Sequence, residues 1–236
     1  MLKPKIILLV LIVFCASLAF SFEKTERLSL SADGIDKLVI DCGAGFLQVT
    51  GEGSLRSIEV EAEIIVRGKR DSDMEDYVAN NVRLELKRQG SRAVLISQFK
   101  NSIPGISFRE RVINLKVKVP ENLDMDVDDG SGEIDIAQIN GDIQIDDGSG
   151  TITIRDIRGD VGVDDGSGTI EISGVSGSVT IDDGSGTIDV SNVEENVEVS
   201  DGSGSIYIDT IGGDVIIRNE GSGGLRIRNV KGRVVK

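Results

Sequence analysis

Nine aspartates dominate the chemistry this sequence could perform. Asp128-Asp129, Asp146-Asp147, Asp164-Asp165 and Asp182-Asp183 each precede Gly-Ser-Gly, and Asp201 holds the same place after Ser200. Carboxylates repeated at a fixed spacing have three uses. They can accept hydrogen bonds from the N-H groups of tight turns, as Asx-turns do, coordinate a hard cation such as calcium through oxygen, or spread into solvent and salt. All nine are therefore candidate calcium ligands, with turn capping as the competing reading. Asp124-Met125-Asp126-Val127-Asp128-Asp129-Gly130 comes near a helix-loop-helix calcium loop. Its glycine falls one place late, however, and residues 136–140 hold no glutamate.

Catalysis fits these residues poorly. A carboxylate pair that works as acid and base needs two environments that push its pKa values apart, whereas repeated aspartates are equivalent. The chain has no histidine, which removes the commonest general base and transition-metal ligand. Sugar binding favours exposed aromatics, and the repeats offer only Tyr207. No enzyme and no cofactor beyond the calcium candidate is expected.

The aspartates belong to an eighteen-residue repeat. VDDGSG begins at Val127 and Val163, IDDGSG at Ile145 and Ile181, VSDGSG at Val199, and IRNEGSGG, with one inserted residue, at Ile217. Aligned, the copies give five aliphatic columns, starting at Val127, Ile134, Ile136, Ile139 and Ile143, and all thirty positions are Ile, Val or Leu. Stacked repeats put each column in a ladder at a spacing of ~4.8 Å. Period-2 alternation, as in Thr151-Ile152-Thr153-Ile154, gives two short strands per coil. Asp-Gly-Ser-Gly forms one turn, and pairs such as Arg158-Gly159 and Asn140-Gly141 form the other, with Ile157 plugging that end.

Ile40-Asp41-Cys42-Gly43 aligns with Ile145-Asp146-Asp147-Gly148 and marks a degenerate coil. Longer alternating strands are predicted at residues 58–66, 82–87, 93–99 and 111–119. Ser72-Asp73-Met74-Glu75 has a capping-box pattern, and Met74, Tyr77 and Val78 give a short helix an apolar face suited to covering one end of the solenoid. The fold class is all-β: a single-chain β-solenoid of stacked eighteen-residue coils with one short helix in its N-terminal half. Residues 22–120 form the β-rich N-terminal part, continuous with a regular solenoid of about six coils over 121–236.

Residues 1–21 read as a signal peptide: Lys3 and Lys5, an apolar run from Ile6 to Phe14, then small residues before cleavage after Ala19 or Ser21. The apolar run is short of the ~20 residues a spanning helix needs. Phe14 before Cys15 argues against lipidation. Removing the leader leaves Cys42 alone, so no intramolecular disulfide is expected.

The order of these features resembles the bacterial putative-adhesin family of exported β-strand-repeat proteins, a domain of unknown function. The resemblance rests on the leader, the early GAGFLQV turn and strand, the helix followed by VRLEL and AVLIS, the KVKVPENLDMDV segment, and the Ser-Gly turns. It implies a solenoid without catalytic chemistry, and adhesion at the cell surface.

Charge is segregated. Of a net charge of -14, residues 121–217 hold twenty-four acidic groups against two basic ones, Arg155 and Arg158. The tail carries Arg226, Arg228, Lys231, Arg233 and Lys236 and is expected to turn away a further coil. Nucleic acid is excluded as a partner by the acidic rod. End-to-end self-association, acidic face on basic end, remains open. The sequence thus predicts a non-enzymatic binding or structural β-solenoid exported to the periplasm, cell envelope or medium. An adhesin contacting an envelope or surface protein or polysaccharide is the leading form, and a calcium-binding or self-assembling scaffold is the alternative.

Overall fold

The structure, a computed structural model, describes residues 20–68, 72–100 and 110–236. The predicted leader lies outside these residues except for Phe20 and Ser21, which begin the first strand, and Met74 and the other capping-box side chains before Glu75 also lie outside what is described. Among the described residues no helix is long and apolar enough to cross a membrane.

Each regular coil is one strand from each of two facing sheets, so the solenoid is flattened. The strands β8 (Asp124–Asp129), β10 (Ile143–Asp147), β12 (Val161–Asp165), β14 (Val179–Asp183), β16 (Val197–Asp201) and β18 (Val215–Glu220) stack in one sheet. Their successors β9 (Ser131–Ile139), β11 (Gly150–Ile157), β13 (Gly168–Val175), β15 (Gly186–Val193), β17 (Gly204–Ile211) and β19 (Leu225–Val230) stack in the other. Pairing is parallel with residue i opposite i+18, as Ile152 lies opposite Ile170 and Ile145 opposite Val163. The five aliphatic columns are the inward ladders: Ile134, Ile136, Ile152, Ile154, Ile170, Ile188, Val190 and Ile206 are all fully buried. β-branched side chains suit this core because they are stiff at χ1 and pack on a pleated surface.

The plug at the second turn depends on a parity break. Ile152 and Ile154 point inward, so Asp156 would be next. Asp156 instead has φ 57° and is skipped by the ladder, which turns Ile157 inward. Gln138, Gly174, Asn192, Thr210 and Asn229 repeat this left-handed step at φ 50–70°.

The N-terminal part stacks on the first regular coil, with its own strands out of sequence order. Strand β2 (Lys37–Cys42) lies beside β8 with Ile40 opposite Val127, and β3 (Ala44–Gly51) lies beside β9, so the degenerate coil is real. The chain then runs outward through β4 (Ser57–Gly68), helix α1 (Ser72–Asn81) and β5 (Val82–Gln89). It returns through β6 (Arg92–Phe99) and β7 (Glu110–Val119), which lie parallel to β2 and β3 and form a coil beneath them. The outermost strands, β4 on β7, β1 (Phe20–Ser31) on β4 and β5 on β6, are all antiparallel. That reversal ends the parallel stack. Helix α1 reaches β4 in one sheet and β5 in the other. Its Tyr77 and Val78 are buried, and Tyr77 stacks on Phe99 with ring centroids 6.2 Å apart. The helix thus has the lid position its apolar face suggested.

Strand β1 was not legible as a strand, because Lys24 and Glu26 occupy the face that Phe22, Leu28 and Leu30 turn toward the core. The basic tail completes the sixth coil that the aligned columns predict: β19 pairs with β17, and β20 (Val234–Val235) pairs with β18. Leu225, Ile227 and Val230 on this coil are only partly buried, and Val234 is exposed.

Candidate functional site

Strand alternation separates the two aspartates of each pair. Asp128, Asp146, Asp164 and Asp182 point outward and are exposed, while Asp129, Asp147, Asp165, Asp183 and Asp201 point into the corner and are 0–5 % exposed. Consecutive carboxylates therefore face opposite sides of the strand and do not converge on one ion. Among the described residues no three Asp, Glu, Cys or His side chains form a group that could hold a metal.

Beside the inner carboxylates the coils stack glycine backbone on glycine backbone. Gly150 has φ 150°, and a Cβ on it would stand 1.7 Å from the Gly132 carbonyl oxygen of the preceding coil. Inside that bend one carboxylate oxygen caps the turn. The Ser149, Ser167, Ser185 and Ser203 N-H groups donate to Oδ1 of Asp147, Asp165, Asp183 and Asp201 at 3.3, 3.1, 3.1 and 2.8 Å. Capping thus accounts for half of each inner carboxylate. The other oxygen, Oδ2, is buried without a hydrogen-bond partner in all four. Burial, reinforced by the neighbouring Asp129 carboxylate, pushes Asp147 up to about 6. Burial, reinforced by Asp165 and Asp201, does the same for Asp183. Asp129, Asp165 and Asp201 are raised too, burial again the first cause.

The inner column extends beyond the repeat. Cys42 lies next along it, its thiol hydrogen-bonded to the Asp129 carboxylate and pushed far up by burial, and Ser97 lies opposite Cys42 with its Oγ buried and unpartnered. Cys42 was visible in the alignment as the counterpart of Asp147. Ser97 was not, because β6 carries no repeat signature. At the other end, the inserted residue shifts register between Val199 and Ser200, and Asn219 caps its own turn by accepting from Gly221 N at 3.1 Å.

A second carboxylate ladder went unrecognised in the sequence. Asp124 Oδ1 accepts from Asp142 N at 3.0 Å, Asp142 from Asp160 N at 2.9 Å, and Asp160 from Ser178 N at 2.8 Å. Asn196 and Asp214 continue it to Asp214 N and Arg233 N. Each side chain ties its own turn to the next coil. Its signal was the column Asp, Asp, Asp, Ser, Asn, Asp after the second turn.

The outward column beside this ladder reads Asp126, Gln144, Gly162, Thr180. Gly162 has no side chain and the Gln144 amide lies over it; an open groove of about 500 Å³ runs alongside, lined by Asp124, Asp126, Asp142, Asp160, Gln144 and Thr180 among others. Lys37 pairs with Asp126 at 2.9 Å at one end of the groove. The groove can offer carboxylate and amide oxygens to a cation or a donor-rich polymer.

No family model matches the chain, and no curated protein matches it. Among solved structures, a "putative cell adhesion protein" from Clostridium sporogenes is 12% identical over 88% of this chain and 99% of its own, with a TM-score of 0.43. A "putative lipid binding protein" from Parabacteroides distasonis is 14% identical over 91% and 97%, with a TM-score of 0.36. A "putative adhesin" from Bacteroides fragilis is 12% identical over 89% and 96%, with a TM-score of 0.33.

Proposed function

We propose that this chain is an exported, non-catalytic β-solenoid that binds at the cell envelope or surface, with adhesion as its role. The observation that carries this reading is the outer face of the β8-to-β18 sheet. It presents carboxylates at Asp128, Asp146, Asp164 and Asp182, and the acidic groove beside Gly162, at intervals fixed by the coil. Repetition of one chemistry along a rigid rod suits many weak simultaneous contacts with a polymer or surface, where avidity exceeds any single contact. A single turnover site gains nothing from it. The partner that fits is rich in hydrogen-bond donors or positive charge. Export is supported by the predicted leader, Lys3 and Lys5 followed by the apolar run from Ile6 to Phe14.

Attachment of the native bacterium is the test. Deleting the gene should reduce attachment, and complementation with Asp146→Asn/Asp164→Asn/Asp182→Asn should restore much less of it than the unaltered gene does. Unchanged attachment on deletion would sink the adhesive reading.

A further inference from the structure

We propose that the inner corner of the solenoid is a proton-binding site: a buried file of carboxyl groups in which neighbouring aspartates share protons in the folded rod.

The file runs Ser97, Cys42, Asp129, Asp147, Asp165, Asp183, Asp201, one side chain per coil at the strand spacing of ~4.8 Å. Every member is at most 8 % exposed. Each repeat aspartate uses Oδ1 on its turn, and from Asp147 to Asp201 each leaves Oδ2 buried and unpartnered. A buried carboxylate oxygen with no donor is costly, and a single such atom would be a local flaw. Four in register share one remedy.

That remedy must be a positive charge or a donor, and the neighbours supply little of either. The charged groups close enough to act on the file are Asp41 on β2, the outward Asp128, Asp164 and Asp182 through the strand, and Glu220 opposite Asp201 at its end, with the Cys42 thiol within it. All are acids. Cys42 remains a neutral S-H donor to Asp129 and satisfies the first carboxylate. Beyond it, the Val127 and Ile134 columns flank the corner and the glycine backbone closes it. A calcium ion needs six to eight oxygens, and two carboxylates in an apolar corner do not provide them. A proton needs one oxygen on each side. Like carboxylates that cannot all ionise share protons. Asp147 and Asp183, the second and fourth of five, are the ones raised to about 6. Two protons then serve the four unpartnered oxygens in pairs, one between Asp147 and Asp165 and one between Asp183 and Asp201.

The consequence is a fold that takes up protons. A carboxyl whose folded pKa lies above its unfolded value contributes its stability fully below the unfolded pKa of ~3.9 and loses it as pH rises through the folded one. The sensitive window is therefore pH 4 to above 6.

Urea unfolding of the full mature chain between pH 4.5 and 7.5 tests the site, with carboxyl-carbon NMR titration of the unaltered protein beside it. The folding constant should fall at least tenfold across the window, and two to three aspartate carboxyls should titrate near or above pH 6. Asp147→Asn/Asp183→Asn replaces each held proton by an amide N-H while keeping Oδ1. It should remove most of the pH dependence and raise the folding constant at pH 7.5, whereas Asp146→Asn/Asp182→Asn should leave the slope in place. The proposal is overturned if the inner carboxyls titrate near 4, if the inner variant keeps the slope, or if calcium restores stability above pH 6 in the native protein and not in the inner variant.

Discussion

At Gly168 a Cβ would stand 1.8 Å from the Gly150 carbonyl oxygen, at φ 152°. Gly168→Ala must separate two coils or break the turn, and it should cost at least about 3 kcal/mol in urea unfolding. Thr210 presents the opposite case. It is β-branched at φ 61°, where only Gly174 among its column mates is free of a Cβ. Left-handed backbone costs an L-residue roughly 1–2 kcal/mol, so Thr210→Gly should stabilise the protein by about 1 kcal/mol. The sequence made the first of these residues plain, because Asp-Gly-Ser-Gly announces a turn. It concealed the second, because Gln, Asp, Gly, Asn, Thr and Asn share no obvious chemistry until their common backbone conformation is seen.

Coils are held to one another by two devices of different strength. Inward rungs carry the hydrophobic burial, so Ile154→Ala should destabilise by about 3 kcal/mol. The turn clamps add smaller increments. Asp142→Ala frees the exposed Asp160 N-H to water and should cost about 1 kcal/mol, with the loss read as faster amide exchange confined to Asp160 and its neighbours. Strand alternation and the aliphatic columns were enough to place the regular coils, and the capping-box pattern with its apolar face to find the short helix. Neither could reveal that β6 and β7 slip beneath β2 and β3, since alternation states that a segment is a strand and not which strand it lies against. The same limit split the nine aspartates: they read as one ligand set, yet the pleat sends four outward and five inward.

For the whole rod, charge and length both matter. The outer aspartates repel at ~4.8 Å by about 1 kcal/mol per contact at the dielectric constant of water, and salt screens this. Thermal stability at pH 7.5 should therefore rise with sodium chloride, and less so in Asp146→Asn/Asp182→Asn. Toward acid the sign reverses below pH 4. Hydrogen bonds from Arg83 and Lys87 hold Glu85 down to about 2, and Arg233 and Asn229 hold Asp214 and Asp209 below the usual range. Their contributions vanish as pH falls through those values, so stability should peak between about pH 4 and 5. Length is modular. Deleting residues 151–168 joins Gly150 to Thr169 in register and should give a folded rod shorter by ~5 Å in solution scattering, whereas deleting residues 151–159 should abolish folding.

The uniform offset of eighteen between partners also means that the core does not number its own floors. A chain that closed one storey too high would still set isoleucine or valine on isoleucine or valine, aspartate on aspartate and glycine on glycine. Wrong assembly is thus nearly degenerate with right assembly in the middle of the rod, and the ends must act as reading frames. Cys42 under Asp129 begins the count, and the extra residue before Asn219 ends it. Misfolded species with one storey looped out, slow to correct, are the hazard this architecture carries.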